Sequence, residues 1–211
     1  MPAPGVFIVV EGPEGSGKST LIRALADRMT TAGQAPVVVR EPGGTPLAES
    51  VRQTLLEADH QVAPAAELFL FLAARADLTM QVLRPALARG QVVLADRFTL
   101  STEVYQVVGR GLDRALVATG NAAATGGLSP DLTLVLDLPP GVGRGRQEAA
   151  GKTLDRLDRE SGEFHDRICR AYVAVTGPGI VHLDATGSPE QLLEAAWTAV
   201  RDLRPDLWRQ S

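Results

Sequence analysis

Apolar residues gather in five short runs, separated by longer stretches in which they recur every three or four positions. The runs are Gly5 to Glu11, Pro36 to Arg40, Gln91 to Asp96, Pro130 to Asp137 and Gly179 to Asp184, all rich in Val, Ile or Leu. Short, nearly continuous apolar segments of this kind read as strands buried on both faces. The intervening stretches carry the helical period. Ser19 to Gly33 has Leu21, Leu25 and Met29 four apart and Gly33 as its stop. Leu47 to Ala58, Ala65 to Arg89 (with Pro85 as a point of kinking), 100–108, 112–124 and Pro189 to Leu203 follow the same rule. Residues 140–176 do so with a Gly- and Arg-rich interruption near 143–156. Strands alternating with helices predict a parallel sheet covered on both faces. No repeat, low-complexity tract or linker divides the chain. The expectation is one three-layer α/β domain over 1–211, with a polar lid at about 143–157.

Composition narrows the class of partner. An apolar fraction of 45% in 211 residues suits one sizeable core. A net charge of -4 excludes a global basic field for nucleic acid or an anionic membrane. No basic segment precedes an apolar stretch and no apolar run nears 18 residues, so a soluble cytoplasmic protein is expected. The single cysteine, Cys169, excludes an intrachain disulfide and is expected to pack as a small apolar residue. His60, His165 and His182 show no metal-ligand spacing. Lys18 and Lys152 are the only lysines among 21 basic residues.

Lys18 lies in the segment that carries the clearest chemistry. Gly12-Pro13-Glu14-Gly15-Ser16-Gly17-Lys18-Ser19, followed by Thr20, matches Gly-x4-Gly-Lys-Ser/Thr and sits between a predicted strand and a predicted helix. Glycines let such a loop turn its N–H groups inward onto phosphate oxygens, and the following helix adds its dipole. Lys18 is expected on the β- and γ-phosphates and the Ser19 hydroxyl on Mg²⁺. A phosphate loop alone does not select a reaction. A GTPase needs Asn-Lys-x-Asp, whereas the sole asparagine, Asn121, precedes Ala; the Asp184-Ala-Thr-Gly187 match to Asp-x-x-Gly lies near the C-terminus and reads as coincidence. A compact domain with an Arg-rich lid fits a small-molecule kinase, in which the lid excludes water and brings cations to the transferring group.

Further candidates fall at the carboxyl ends of the strands, where open α/β sheets bind ligands. Asp96 and Arg97 end the third strand: Asp96 suits Mg²⁺ through water, and Arg97 a bidentate phosphate clamp. Arg40 and Glu41 end the second strand, with Arg52 on the helix after it. Phe71 and Arg75 are four apart and share a helix face, offering a ring to stack on a base and a donor for its carbonyl. In the lid, Arg144, Arg146, Lys152, Arg156 and Arg159 cluster. Each has a plainer reading, as turn, core ring, surface pair or solvated face.

Taken in order, Arg40-Glu-Pro-Gly-Gly-Thr45, Phe71-Leu-Ala-Ala-Arg75, Asp96-Arg97-Phe98, Ser101-Thr-Glu-Val-Tyr-Gln106, Gly109-Arg-Gly111, Pro130-Asp-Leu132 and Leu154-Asp-Arg156 resemble bacterial thymidylate kinase. The resemblance spans nearly the whole chain. It implies a P-loop kinase fold with a five-stranded parallel sheet in the order 2-3-1-4-5, and ATP + dTMP → ADP + dTDP with Mg²⁺ in dTTP synthesis. It implies a homodimer with neither nucleic acid nor membrane as partner. It further implies Glu14 on the deoxyribose 3′-hydroxyl and Arg97 on the dTMP phosphate, with Arg40 and Glu41 positioning that phosphate and its metal. Phe71 would stack on thymine, Arg75 donate to its O4, Thr102 and Gln106 sit near N3, and Tyr105 crowd the sugar 2′ position; Arg52 would line the same pocket. Members whose phosphate loop lacks a further cation take it from the lid, here from Arg146, Lys152 or Arg156. Ala149 and Ala150 depart from more arginine-rich lids, and Asp158 stands where Glu is usual. A kinase of another small acceptor on the same fold, or a nucleotide-binding regulator, are the competing readings.

Overall fold

A computed structural model describes residues 5–58, 60–151 and 153–208. Five parallel strands form one sheet: β1 (Val6–Glu11), β2 (Val37–Arg40), β3 (Val92–Asp96), β4 (Leu132–Asp137) and β5 (Ile180–Asp184), in the order β2-β3-β1-β4-β5. The expected order is the one found. β1 lies at the centre and is buried along its whole length. Its register pairs Val10 with Asp96 of β3 and Glu11 with Val135 of β4. Charged residues of β1 and β3 are thereby delivered to the same edge.

Alternate residues of β1 face opposite layers. Val6, Ile8 and Val10 pack with Leu21, Leu25 and Met29 of α1 (Lys18–Thr31) and with Trp197 and Val200 of α9 (Pro189–Leu203). Phe7 and Val9 pack on the other side with Leu78, Leu83 and Phe98. Between β2 and β3 run α2 (Pro46–Leu56), α3 (Pro64–Leu78) and α4 (Arg84–Ala88). The expected continuous helix over 65–89 is found, but Pro85 does not simply kink it. A π-helical turn, Thr79–Leu83, joins α3 to α4, and the Arg84 N–H reaches back five residues to the Thr79 carbonyl. Proline has no N–H to give to the ladder, so the register shift falls just before it.

After β3, α5 (Thr99–Thr102) runs directly into a second π-helical segment, Glu103–Gly109, and α6 is Arg114–Thr125. α7 (Val142–Ala149) and α8 (Gly162–Val173) follow β4. The expected interruption over 143–156 is displaced: its first half is helix α7, and the break lies between Ala149 and Gly162. Ser161 caps α8 by accepting from the Phe164 N–H. Cys169 is buried on α8, as expected, and burial pushes its thiol up to about 11.

Candidate active site at the carboxyl edge of the sheet

A cleft of about 1130 Å³ lies over the carboxyl ends of the central strands. Its walls include Glu14 to Thr20, Arg40, Glu41, Arg52, Phe71, Arg75, Asp96, Arg97, Thr102, Tyr105, Gln106 and Arg146. Gly12 and Pro13 contribute carbonyls beneath it. Almost every residue singled out from sequence is therefore brought to one place.

The phosphate loop has the expected glycine conformations. Gly15 and Gly17 adopt φ of 71° and 93°, which side chains with a Cβ resist. A Cβ on Gly15 would also fall 2.2 Å from the Gly143 carbonyl oxygen, and one on Gly143 2.1 Å from that of Glu14. The first turn of α7 thus rests directly on the loop. Lys18 is buried and donates from Nζ to the carbonyls of Gly12 (2.9 Å) and Pro13 (2.8 Å). Burial, with Arg97 beside it, brings its ammonium down to about 8. The Ser16 hydroxyl is buried without a hydrogen-bond partner among the described residues.

Arg97 is the hub of a polar network beside the loop. It is the one described non-glycine residue with positive φ, 74°. A single residue in that region is strained, and the surroundings hold it there. Nη1 donates to Gly12 O (3.2 Å), Ser101 Oγ (3.0 Å) and Tyr172 Oη (3.0 Å), and Nη2 to Glu14 Oε1 (2.7 Å). Its guanidinium carbon also lies 5.2 Å from the Tyr105 ring centroid. Burial would raise the Glu14 carboxyl, but Arg97 and Lys18 overcome it and the net shift is downward. Tyr105 Oη donates to Glu14 as well.

Sequence reasoning missed what holds this hub. Glu11, fully buried at the end of β1, accepts from the N–H groups of Phe98 (2.8 Å) and Ser101 (3.1 Å), from Ser101 Oγ (2.6 Å) and from Tyr172 Oη (3.0 Å). α5 has no side-chain cap of its own; the strand supplies one. Burial raises the Glu11 carboxyl despite these partners and Arg97. Glu11 reads in sequence only as the last residue of an apolar run, and Tyr172 only as a helical aromatic.

Arg75 lines the cleft and is held closely by its neighbours. All five of its N–H groups are engaged within the protein: Nε and Nη2 with Glu41 Oε2 (2.8 and 2.6 Å), Nη2 also with the Phe98 carbonyl (3.0 Å), and Nη1 with Thr102 (2.7 Å) and Asn121 (2.6 Å). The side chains of Arg75 and Glu41 are 2% and 5% exposed. Burial raises the Glu41 carboxyl, with Arg75 opposing, and its Oε1 has no partner among the described residues. Neighbouring charges are paired too. Arg40 meets Glu49 at 3.0 Å, and Arg52 donates to the Pro42 carbonyl at 3.0 Å.

Ser19 Oγ and Asp96 Oδ2 are 3.3 Å apart across the loop and β3. A hydroxyl and a carboxylate at that spacing suit a hard cation that keeps waters and phosphate oxygens as its other ligands. No group of three His, Cys, Asp or Glu among the described residues forms an all-protein metal cage.

The three lid candidates part company. Arg146 enters the cleft, with Nη2 on the Ala185 carbonyl (2.9 Å) and Nη1 near that of Gly15 (3.5 Å). Arg156 does not line the cleft, contrary to its expected catalytic place: Nε donates to Leu55 O (2.7 Å) and Nη2 to Glu67 Oε2 (2.6 Å). A carboxylate and a helix's free carbonyls hold it outside. Lys152 lies outside the described residues.

The family model described as Thymidylate kinase matches residues 10–196. A protein named Thymidylate kinase from Thermomicrobium roseum is 45% identical over 200 residues, covering 93% of this chain and 95% of that one. One of that name from Cereibacter sphaeroides is 46% identical over 208 residues, with 95% and 96% covered. Another from Pseudomonas putida is 52% identical over 170 residues, 80% of each.

Proposed function

The chain belongs to the thymidylate kinase family, and from that premise we propose how its residues share the work of moving the γ-phosphoryl group of ATP to dTMP, giving ADP and dTDP. One observation carries the assignment. Lys18 Nζ and Arg97 Nη1 donate to the same Gly12 carbonyl oxygen, at 2.9 and 3.2 Å. The cation assigned to the donor phosphates and the one assigned to the acceptor phosphate therefore flank a single spot. Phosphoryl transfer asks for positioning and neutralisation of charge rather than covalent help, and two cations about that spot provide both.

On this reading the N–H groups of Gly12 to Ser19 hold the triphosphate, with Thr20 lining its path, and Lys18 neutralises the transferring group. Arg146, anchored between Gly15 and Ala185, is the lid cation. Arg97 and Arg40 bind the dTMP phosphate, Phe71 stacks on the base, Glu14 and Tyr105 meet the sugar, and Thr102 and Gln106 face the base edge. Arg75 and Glu41 line the same pocket, and Arg75 also fixes Thr102 and the Phe98 backbone. Ser19 and Asp96 would hold Mg²⁺, which supplies neutralisation of the β- and γ-oxygens when bound. Arg146→Ala is expected to lower single-turnover phosphoryl transfer about 10²–10³-fold, the scale for losing one aimed donor. An unchanged rate removes it from the reaction.

The homodimer rests on a second feature. Ala66, Phe69, Ala73, Ala76 and Met80 form a stripe along α3 and its π-turn; Phe69 is 56% and Met80 63% exposed. A stripe without charge meets its own copy across a two-fold axis with no like charges opposed. Phe69→Glu is expected to give a monomer in light scattering, and an unchanged mass refutes the interface. No helix among the described residues is long and apolar enough to cross a membrane; we assign the protein to the cytoplasm, where its substrates are made and used, with no nucleic-acid partner at net charge -4. The activity itself is tested by kcat/KM with dTMP, dUMP, CMP and AMP. A higher value for CMP or AMP overturns dTMP as the acceptor.

A further inference from the structure

Residues 155–158 run along the wall of the cleft as a strap. Asp155 and Leu157 line the cleft beside Arg52 and Leu56, while the Arg156 side chain between them turns away from the cleft into the protein. Its backbone N–H donates to the Leu56 carbonyl (3.1 Å) and its Nε to that of Leu55 (2.7 Å). These carbonyls close α2, and the last carbonyls of a helix have no donor of their own; the strap provides two. Arg156 Nη2 then reaches Glu67 Oε2 at 2.6 Å. Glu67 is fully buried and also accepts from Gln106 Nε2 and from Nε and Nη2 of Arg110, each at 3.0 Å. Arg110 pairs in turn with Glu160, two residues beyond the strap, at 2.6 Å.

Glu67 stands four residues before Phe71 and eight before Arg75, on one face of α3. The carboxylate that ties down the strap thus extends the row assigned to the acceptor base. A buried carboxylate shared by two guanidinium groups is costly unless every partner stays in place, so the strap is fixed where Glu67 is fixed.

We infer that Arg156 and Glu67 fasten this strap along the acceptor end of the cleft, making Arg156 a positioning residue for dTMP and not a group on the transferring phosphoryl. The inference rests on the acceptor lying against Phe71. It is tested with Arg156→Ala, Glu67→Gln and the double variant, reading dTMP KM, ATP KM and the single-turnover rate at saturating substrates. Each single change is expected to raise dTMP KM about tenfold or more, the scale for a charged hydrogen bond, and to leave the saturated rate within about threefold. The double variant is expected to be no worse than either single one. Arg156→Lys is expected to resemble Arg156→Ala, because an ammonium does not span Leu55 and Glu67 together. A saturated rate that falls about a hundredfold in Arg156→Ala with dTMP KM unchanged, or singles that multiply in the double, overturns the inference. Should Glu67→Gln not fold, unchanged dTMP KM in Arg156→Ala alone overturns it. Phe71→Ala separates the two readings: unchanged KM there refutes the acceptor placement, whereas raised KM there with unchanged KM in Arg156→Ala refutes the strap alone.

Discussion

Replacing Arg75 by Ala removes the sole cation, among the described residues, on a buried carboxylate. Both guanidinium contacts to Glu41 fall on Oε2, and Oε1 has no partner among the described residues to compensate. Thr102 and Asn121 lose a donor at the same time. Breaking a buried pair by removing one member costs about 3–5 kcal/mol. For a chain of this length that is a fall in Tm of about 6–20 °C, at roughly 2–4 °C per kcal/mol. The loss depends on pH. Glu41 already titrates above its ordinary value because of burial, with Arg75 opposing; without Arg75 its folded-state value rises further. A carboxyl raised on folding disfavours the folded state: the penalty is full above the raised value, fades as pH falls through it, and is gone below the unfolded value. The deficit of Arg75→Ala, measured as the urea midpoint against the parent protein, should therefore be larger at pH 8 than at pH 5.5. The double variant Arg75→Leu, Glu41→Leu should be more stable than Arg75→Ala, since no charge is left stranded. A deficit below about 1 kcal/mol, the range of a surface pair, or one independent of pH, refutes the burial argument.

Three further outcomes follow from the geometry. Lys18, brought down to about 8 by burial and Arg97, is largely neutral at pH 9, so bound triphosphate should draw a proton onto it. Calorimetry in two buffers of different ionisation enthalpy should report uptake approaching one proton, and identical enthalpies would contradict the placement. His182 donates from Nδ1 to the Asp137 carboxylate (2.8 Å) and from Nε2 to the Val175 carbonyl (2.7 Å); burial lowers it, but these partners raise it overall from 6.5. Its stabilising effect is full below 6.5 and lost as pH climbs through the raised value, so His182→Gln should cost stability at pH 6 and little at pH 9; equal losses would exclude the imidazolium. Gly143→Ala places a Cβ 2.1 Å from the Glu14 carbonyl, whereas Gly145, on the same helix, has nothing within 4 Å. The first should cost about 1–3 kcal/mol and weaken ATP binding, and the second should stabilise by up to about 1 kcal/mol through helix propensity. Equal melting temperatures for the two would show that α7 does not rest on the loop.

How much of this was legible depended on how far along the chain each interaction reaches. The phosphate loop could be read because its chemistry is consecutive, and the strands because an apolar run is a local pattern. The sheet order was legible only through resemblance, since no local pattern states which strands pair. Glu11 was not legible: its partners lie 87 to 161 residues away, and a Glu closing a strand looks like any boundary. Glu67 was hidden for the same reason, being bonded to Arg156 89 residues on. The lid shows the limit most clearly. Arg146 and Arg156 belong to one basic cluster in sequence, yet one enters the cleft and the other is drawn away from it by a carboxylate on α3. Composition counts such charges but does not aim them.

The aiming has a consequence for how phosphate is recognised. Four cations of the cleft are already paired: Lys18 with two backbone carbonyls, Arg97 with Glu14, Arg40 with Glu49, Arg146 with Gly15 and Ala185. An incoming phosphate exchanges partners with these groups instead of meeting bare charge. The gain on binding is the difference between two good sets of hydrogen bonds, and is modest for the ground state. On the proposed assignment, that difference grows where negative charge is redistributed between donor and acceptor, at the spot flanked by Lys18 and Arg97. Interactions that strengthen on the way to the transition state raise kcat, whereas those already complete in the ground state do not. Paired cations around that spot therefore favour the transfer itself over tight holding of either nucleotide.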